Sequence, residues 1–205
     1  MKLFHSPSSP YVRKCMVVAI EHGLESQIEK IPAAPSVLNR VPDLEAANPL
    51  GKVPALQDDA GNWLFDSPVI CEYLDSLRGG LMLPASGSER WRVLTLQALA
   101  DGALDAALLM RYEQVLRPEP LRWDDWLAGQ RAKIIRSIDL LDGQLGDPPA
   151  EGAKPDLGAV TVGCLLGYLD FRFPDIGWRT DRPALAAWFE RFSERASMRA
   201  TVPVG

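Results

Sequence analysis

The chain has 205 residues and a net charge of −5, with an isoelectric point near 5.1. An acidic balance argues against nucleic acid or an anionic membrane as the main partner. No uninterrupted run reaches the ~18 apolar residues of a membrane span, and the N-terminus lacks the apolar core of a signal peptide, so the expected location is cytoplasmic.

Lys2–Phe4 reads as a short strand ending at His5. Ser6-Pro7-Ser8-Ser9-Pro10 then forms a turn, with Ser9 placed as an N-cap and Pro10 as the first helical residue. Val12, Cys15, Met16, Ala19 and Ile20 follow at helical spacing until Gly23, with Arg13 and Lys14 expected on the surface. Gln27–Ile31 predicts a second strand and Ser36–Arg40 a single ragged helical turn. Two β-type runs, Val53–Leu56 and Trp63–Phe65, flank the turn cluster 58–62 and predict a hairpin. Pro54 stands at the mouth of the first run, where a strand tolerates proline. Asp66 and Ser67-Pro68 then open a helix bearing Val69, Ile70, Tyr73, Leu74 and Leu77, stopped by Arg78-Gly79-Gly80.

Residues 81–87 read as a linker. Beyond them the pattern is helical throughout: Ser88–Arg117, Trp123–Leu145, Asp156–Phe173 and Pro183–Ala196, with a polar loop over 146–155. Strands mixed with helices, followed by helices alone, predict two domains of different class, 1–80 and 87–205. The three cysteines, Cys15, Cys71 and Cys164, lie far apart within apolar helical patterns and read as structural thiols of a reducing compartment, with no metal site. His5 and His22 have no acid or serine partner at a recognisable spacing, and the six tryptophans read as core and interface.

Two Ser-Pro helix starts, at Ser9 and Ser67, thus flank one small sheet. Each offers unpaired N–H groups, a hydroxyl and a positive dipole end, which together suit an anion. Asp66 adds a carboxylate suited to an ammonium.

The segments Asn48-Pro-Leu-Gly-Lys-Val-Pro-Ala-Leu56 and Asp66-Ser-Pro-Val-Ile-Cys-Glu-Tyr-Leu74 resemble the glutathione transferase family, and the resemblance extends over essentially the whole chain. It implies a thioredoxin-like α/β domain to about Gly79 and an all-α domain from about Ser88. Glutathione would be the co-substrate, with Ser9 facing its thiol. Ser67 and its helix would hold the γ-glutamyl carboxylate and Asp66 the γ-glutamyl ammonium. Lys52 and Val53 would meet the cysteinyl backbone and the glycine end. A cis Val53–Pro54 bond, a homodimer, and a small electrophile bound by the helical domain are implied as well. Tyr11, Met110 and Tyr112 are candidates to border the electrophile pocket.

Two departures from the family pattern are visible. Asp66 stands where the family often has glutamate, one methylene longer. Asp156 takes a cap usually held by Ser or Thr, and Ala159 replaces the acid that completes the capping box. The readings are a transferase, a peroxidase or thiol oxidoreductase of the same fold, which normally carries cysteine at the Ser9 place, and a non-catalytic interaction module, which often lacks the acid–serine pair.

Overall fold

The computed structural model describes residues 1–150 and 152–205. Four strands, β1 (Lys2–His5), β2 (Glu29–Pro32), β3 (Ala55–Gln57) and β4 (Trp63–Leu64), form one sheet in the order β2-β1-β3-β4. β1 runs parallel to β2 and antiparallel to β3, with Leu3 opposite Leu56 and Phe4 opposite Ala55. Side chains alternate across a strand, so β1 and β3 contribute to two cores. On one face Phe4 and Ala55 pack with Leu44 and Ala47 of helix α2 (Pro42–Ala47), and the Trp63 ring stacks on Phe4 at 5.4 Å. Leu3 and Leu56, both fully buried, point to the other face.

Helices α1 (Pro10–Glu21) and α3 (Ser67–Ser76) pack side by side. Near their starts the Cys15 thiol approaches the Ser67 carbonyl at 4.0 Å and the Cys71 sulfur at 3.9 Å. Near their ends His22 Nε2 and Asp75 Oδ1 share a hydrogen bond of 2.9 Å. Contacts at 15/67 and again at 22/75 require the helices to run parallel, with both N-termini at one end. Asp75 is 1% exposed. It also accepts the main-chain N–H groups of Met82 at 2.9 Å and Leu83 at 3.0 Å, which ties down the segment after α3. Cys15, Cys71 and Cys164 are all buried, and none forms a disulfide.

Three local expectations are corrected. Ser36–Arg40 is not helical: Ser36 and Asn39 form an isolated antiparallel bridge, and the Ser36 hydroxyl accepts the N–H groups of Leu38 and Asn39. A side chain that captures backbone donors competes with a helical turn. The helix starts instead at Pro42, a residue that reads as a breaker yet is suited to the first helical position. Arg13 and Lys14 are buried, at 7% and 0% exposure, instead of lying on the surface. The short helix α8 (Ala196–Arg199) returns against α1, and Arg13 Nη2 donates to the Met198 carbonyl at 3.1 Å.

The chain divides into two compact units, Met1–Arg90 with Ala196–Gly205, and Trp91–Arg195. The last ten residues therefore join the sheet-containing unit, a return that the linear division into 1–80 and 87–205 does not contain. The second unit is helical, built from α4 (Gly87–Val115, from Trp91 on), α5 (Asp124–Gln144), α6 (Leu157–Arg172) and α7 (Pro183–Ser193). α4 is long and apolar enough to cross a membrane by length and composition, although charged and polar residues interrupt its apolar run. Val93, Gln97, Ala100, Ala103, Leu104, Ala107 and Met110 recur along it at the spacing of one buried helix face.

Every residue of α6 from Leu157 to Leu169 is buried. A side chain at Gly158 would meet Leu96 at 2.9 Å, so glycine permits the close approach to α4. Asp156 caps α6 as expected, accepting the Ala159 N–H at 2.7 Å. Its second oxygen meets Arg92 at 2.7 Å, a tertiary partner for the acid whose capping box is incomplete. Of the polar loop expected over 146–155, residue 151 lies outside the described residues.

Replacing Asp75 by Ala strands two buried N–H groups and the His22 ring. The expected loss is about 2–5 kcal/mol, read as a lower urea midpoint at unchanged slope. A wild-type midpoint would show that the segment after α3 is held by other contacts.

Candidate active site

The parallel packing of α1 and α3 brings two helix starts to one end of the sheet. Ser9 is the N-cap of α1, with extended backbone angles, and its Oγ accepts the Val12 N–H at 3.3 Å. That bond is long, and the half-buried hydroxyl keeps its own proton to donate. Before it, the Ser9 N–H donates to the Ser6 carbonyl at 3.2 Å, closing the turn. The C-terminal segment lies alongside, with the Val204 N–H donating to the Pro7 carbonyl at 3.4 Å.

At the other start, Asp66 takes the N-cap place of α3, and its carbonyl accepts the Ile70 N–H. Its carboxylate makes no cap hydrogen bond to the helix. It is exposed and, among the described residues, has no ion-pair partner. Ser67 is the first residue inside the helix and is 1% exposed. The two Ser-Pro starts are therefore not equivalent: Ser9 caps its helix, whereas at the second start the cap place falls to the acid. A Ser-Pro pair in sequence does not distinguish these two registers.

The remaining candidates lie in the segment before β3. The Val53–Pro54 peptide is cis, as the family resemblance implies, and Pro54 is buried. Val53 packs on the Phe4–Leu44 cluster. The Lys52 side chain is exposed, while its carbonyl accepts from Asn48 Nδ2 at 2.9 Å.

Asn48, which has no role in the sequence analysis beyond its place in the motif, is central to this turn. It is 1% exposed, its Oδ1 accepts the Leu50 N–H at 3.1 Å, and its carbonyl accepts the Gly51 N–H at 2.8 Å. Gly51 turns the chain at φ +60°, a conformation that glycine adopts without penalty. An asparagine directly before Pro-Leu-Gly is a turn signal that could have identified it.

The hairpin turn is held by Asp58, which accepts the N–H groups of Ala60 at 2.9 Å and Asn62 at 2.8 Å. The Asn62 side chain, followed by these backbone donors, holds the Asp58 carboxyl below its usual range. Its stabilisation is thus present above the ordinary carboxylate range and is lost as pH falls through the depressed value. His5, at the end of β1, is held below its usual range by burial and then by Lys30, so it carries no positive charge near neutral pH. His22 has a buried acid partner in Asp75, which its sequence surroundings did not reveal.

A shallow cavity of about 350 Å³ lies on the α2 side of the sheet, floored by Phe4 and Trp63 and edged by Lys2, Asp43 and Gln57. It contains none of the six candidate residues Ser9, Lys52, Val53, Pro54, Asp66 and Ser67.

Comparison with known proteins places the fold in a family. Family models described as the glutathione S-transferase N-terminal and C-terminal domains match residues 8–77 and 124–191. The uncharacterized GST-like protein YibF of Escherichia coli is 38% identical over 99% of this chain and 98% of its own. A glutathione transferase family member from Pseudomonas fluorescens Pf-5, solved with bound glutathione, is 45% identical at a TM-score of 0.93, covering 100% of this chain and 99% of that one. A family member from the same organism, also 45% identical and solved with bound S-(propanoic acid)-glutathione, superposes at a TM-score of 0.87 over 100% of both chains. Both domains, the order of elements and these relatives lead to one conclusion: the chain belongs to the glutathione S-transferase family.

Proposed function

We propose that the protein binds glutathione at the paired helix starts, stabilises its thiolate at Ser9, and joins it to a small electrophile. The observation that carries this reading is the Asp66 carboxylate, exposed and without an ion-pair partner directly before the buried Ser67. An acid kept out of its helix cap is free to pair with an ammonium. The helix start behind it suits the adjoining carboxylate of the same amino acid. Lys52 is exposed for the glycine carboxylate, and Val53 offers its main chain to the cysteinyl residue as an added strand edge. The glutathione and S-(propanoic acid)-glutathione carried by the Pseudomonas relatives support the ligand and the thioether product.

An unperturbed thiol titrates near ~8.5 and is mostly protonated at pH 7. A helix N-terminus contributes ~0.3–1 kcal/mol to an anion. A hydrogen bond to a charged group contributes ~1.5–3 kcal/mol, so the hydroxyl is the larger effect. Together they lower the thiol pKa by roughly 1.5–3 units, enough for a thiolate nucleophile without a general base. The thiol proton leaves to solvent, and the thiolate forms a bond to the electrophilic carbon as the leaving group, or a π pair, departs from it. Ser9 donates and is never itself acylated or alkylated.

Ser9→Ala is expected to raise the thiol pKa of bound glutathione by roughly one to two units. Glutathione affinity should change little, since its charged ends are held elsewhere. Thiolate absorbance against pH measures this, and coincident curves for the two proteins would reduce Ser9 to a helix cap.

Asp66→Asn should weaken glutathione binding by about 2–5 kcal/mol with the fold intact. Calorimetry showing wild-type affinity would remove the acid from the ligand. Immobilised glutathione separates this reading from an interaction module, which would not be retained.

We also propose a two-fold homodimer that pairs the sheet-containing unit of one copy with the helical unit of the other. Leu50 and Val69 on the first unit and Trp91 and Leu109 on the second are large apolar side chains left 42–66% exposed, the kind of surface a second copy would cover. Light scattering should give twice the 22.6 kDa chain mass; the single mass at micromolar concentration would overturn it.

A further inference from the structure

Cys15 and Cys71 stand far apart in the sequence, yet the packing of α1 on α3 brings their sulfurs to 3.9 Å. Both side chains are fully buried. The Cys71 thiol donates toward the Cys15 sulfur, and the Cys15 thiol donates on to the Ser67 carbonyl at 4.0 Å. Ser67 is the first residue of α3, so this chain of contacts ends on a residue of the candidate site.

Either cysteine alone would serve as a small apolar filler. Two sulfurs in contact add a chemistry that neither has by itself, because a bond between them needs an approach of only about 2 Å. Cys164 supplies the contrast. It is equally buried, but it belongs to the other compact unit, which holds neither of the two remaining cysteines. Hydrogen peroxide is little larger than water and reaches a buried pair when the helix starts open locally.

We propose that Cys15 and Cys71 are a modification site at which hydrogen peroxide closes an intramolecular disulfide, and that this bond weakens the glutathione site. The second part rests on the proposed binding of glutathione. One sulfur attacks a peroxide oxygen, the O–O bond breaks, and the departing oxygen takes the thiol proton and leaves as water. The other sulfur attacks the sulfenic acid so formed. The S–S bond forms, the S–O bond breaks, and a second water leaves with the second thiol proton. The two thiols lose two electrons between them, and the peroxide gains both. Closure removes the hydrogen that Cys15 directs at the Ser67 carbonyl and draws α1 and α3 together. In that core Val12, Met16, Ile70 and Leu74 of the same two helices are at most 2% exposed. An interior so tightly packed transmits the shift to the helix starts.

The test treats the folded protein with hydrogen peroxide, removes the excess, denatures the chain in iodoacetamide and maps its peptides. Mapping separates the cysteines from any methionine that has gained oxygen. The expected product is one cross-linked peptide pair holding Cys15 and Cys71, reversed by dithiothreitol, with Cys164 still a thiol. Cys15→Ala and Cys71→Ala should each prevent it, their urea midpoints showing that they fold, and Cys164→Ala should not. S-methylglutathione, whose capped sulfur cannot reduce the bond, should bind the oxidised protein about tenfold more weakly than the reduced one. Alkylation of both thiols as in untreated protein, sulfinic acid in place of the cross-link, or a link through Cys164 overturns the disulfide. Equal affinity of the oxidised and reduced proteins overturns its effect on the site. If the reduced protein binds no S-methylglutathione, the glutathione reading fails and takes that effect with it, while the peptide map alone decides the disulfide.

Discussion

The buried hydrogen bond between His22 and Asp75 is the constraint on which the candidate site depends. It joins the end of α1 to the end of α3, while Cys15 meets Ser67 and Cys71 near the two starts. With both ends matched, the helices can neither reverse nor slide by a turn. Ser9 and Asp66-Ser67 are therefore held at one end of the sheet although the two hydroxyls, at positions 9 and 67, lie far apart along the chain. Asp75 also receives the N–H groups of Met82 and Leu83, so the same carboxylate anchors the chain on its way to the second unit. A carboxylate taken out of water is costly unless its oxygens are satisfied, and here three donors satisfy them.

Asn48 does comparable work for the segment before β3. Its amide and carbonyl groups hold Leu50, Gly51 and Lys52 in one turn, which positions Val53 before the cis bond and β3. In the proposed reading the serine hydroxyls, the acid and the lysine supply the chemistry; a buried asparagine and a buried aspartate hold the backbone that carries them. This division fits the energetics. The hydroxyl and the dipole each supply at most a few kcal/mol to an anion, and those contributions exist only when the donors are already in place.

The helical unit shows polar groups supplied with partners from distant parts of the chain. Asp156 lacks the reciprocal acid of a capping box, yet Arg92 takes its second oxygen and secures the start of the fully buried α6. Arg182 binds Asp139, and Arg131 binds Asp175.

Much of this was legible in the residues themselves. Alternation over Lys2–Phe4, the turn cluster between β3 and β4, and helical spacing after Pro10 and Pro68 all specify local elements, because backbone preference and side-chain period act over a few residues. The helix starting at Pro42 escaped because a proline reads equally as a stop and as a first residue. The Ser36 turn was mistaken for a helix because hydroxyl-to-backbone bonds compete at the same range. By itself the sequence determined most of the elements, the two Ser-Pro helix starts and the family. Only the tertiary structure decided that Asp66 takes the cap place of α3 with its carboxylate left free of the helix, that Arg13 is buried under α8, and that His22 meets Asp75. These depend on the relative placement of segments distant along the chain, which burial and packing choose and local preference does not encode.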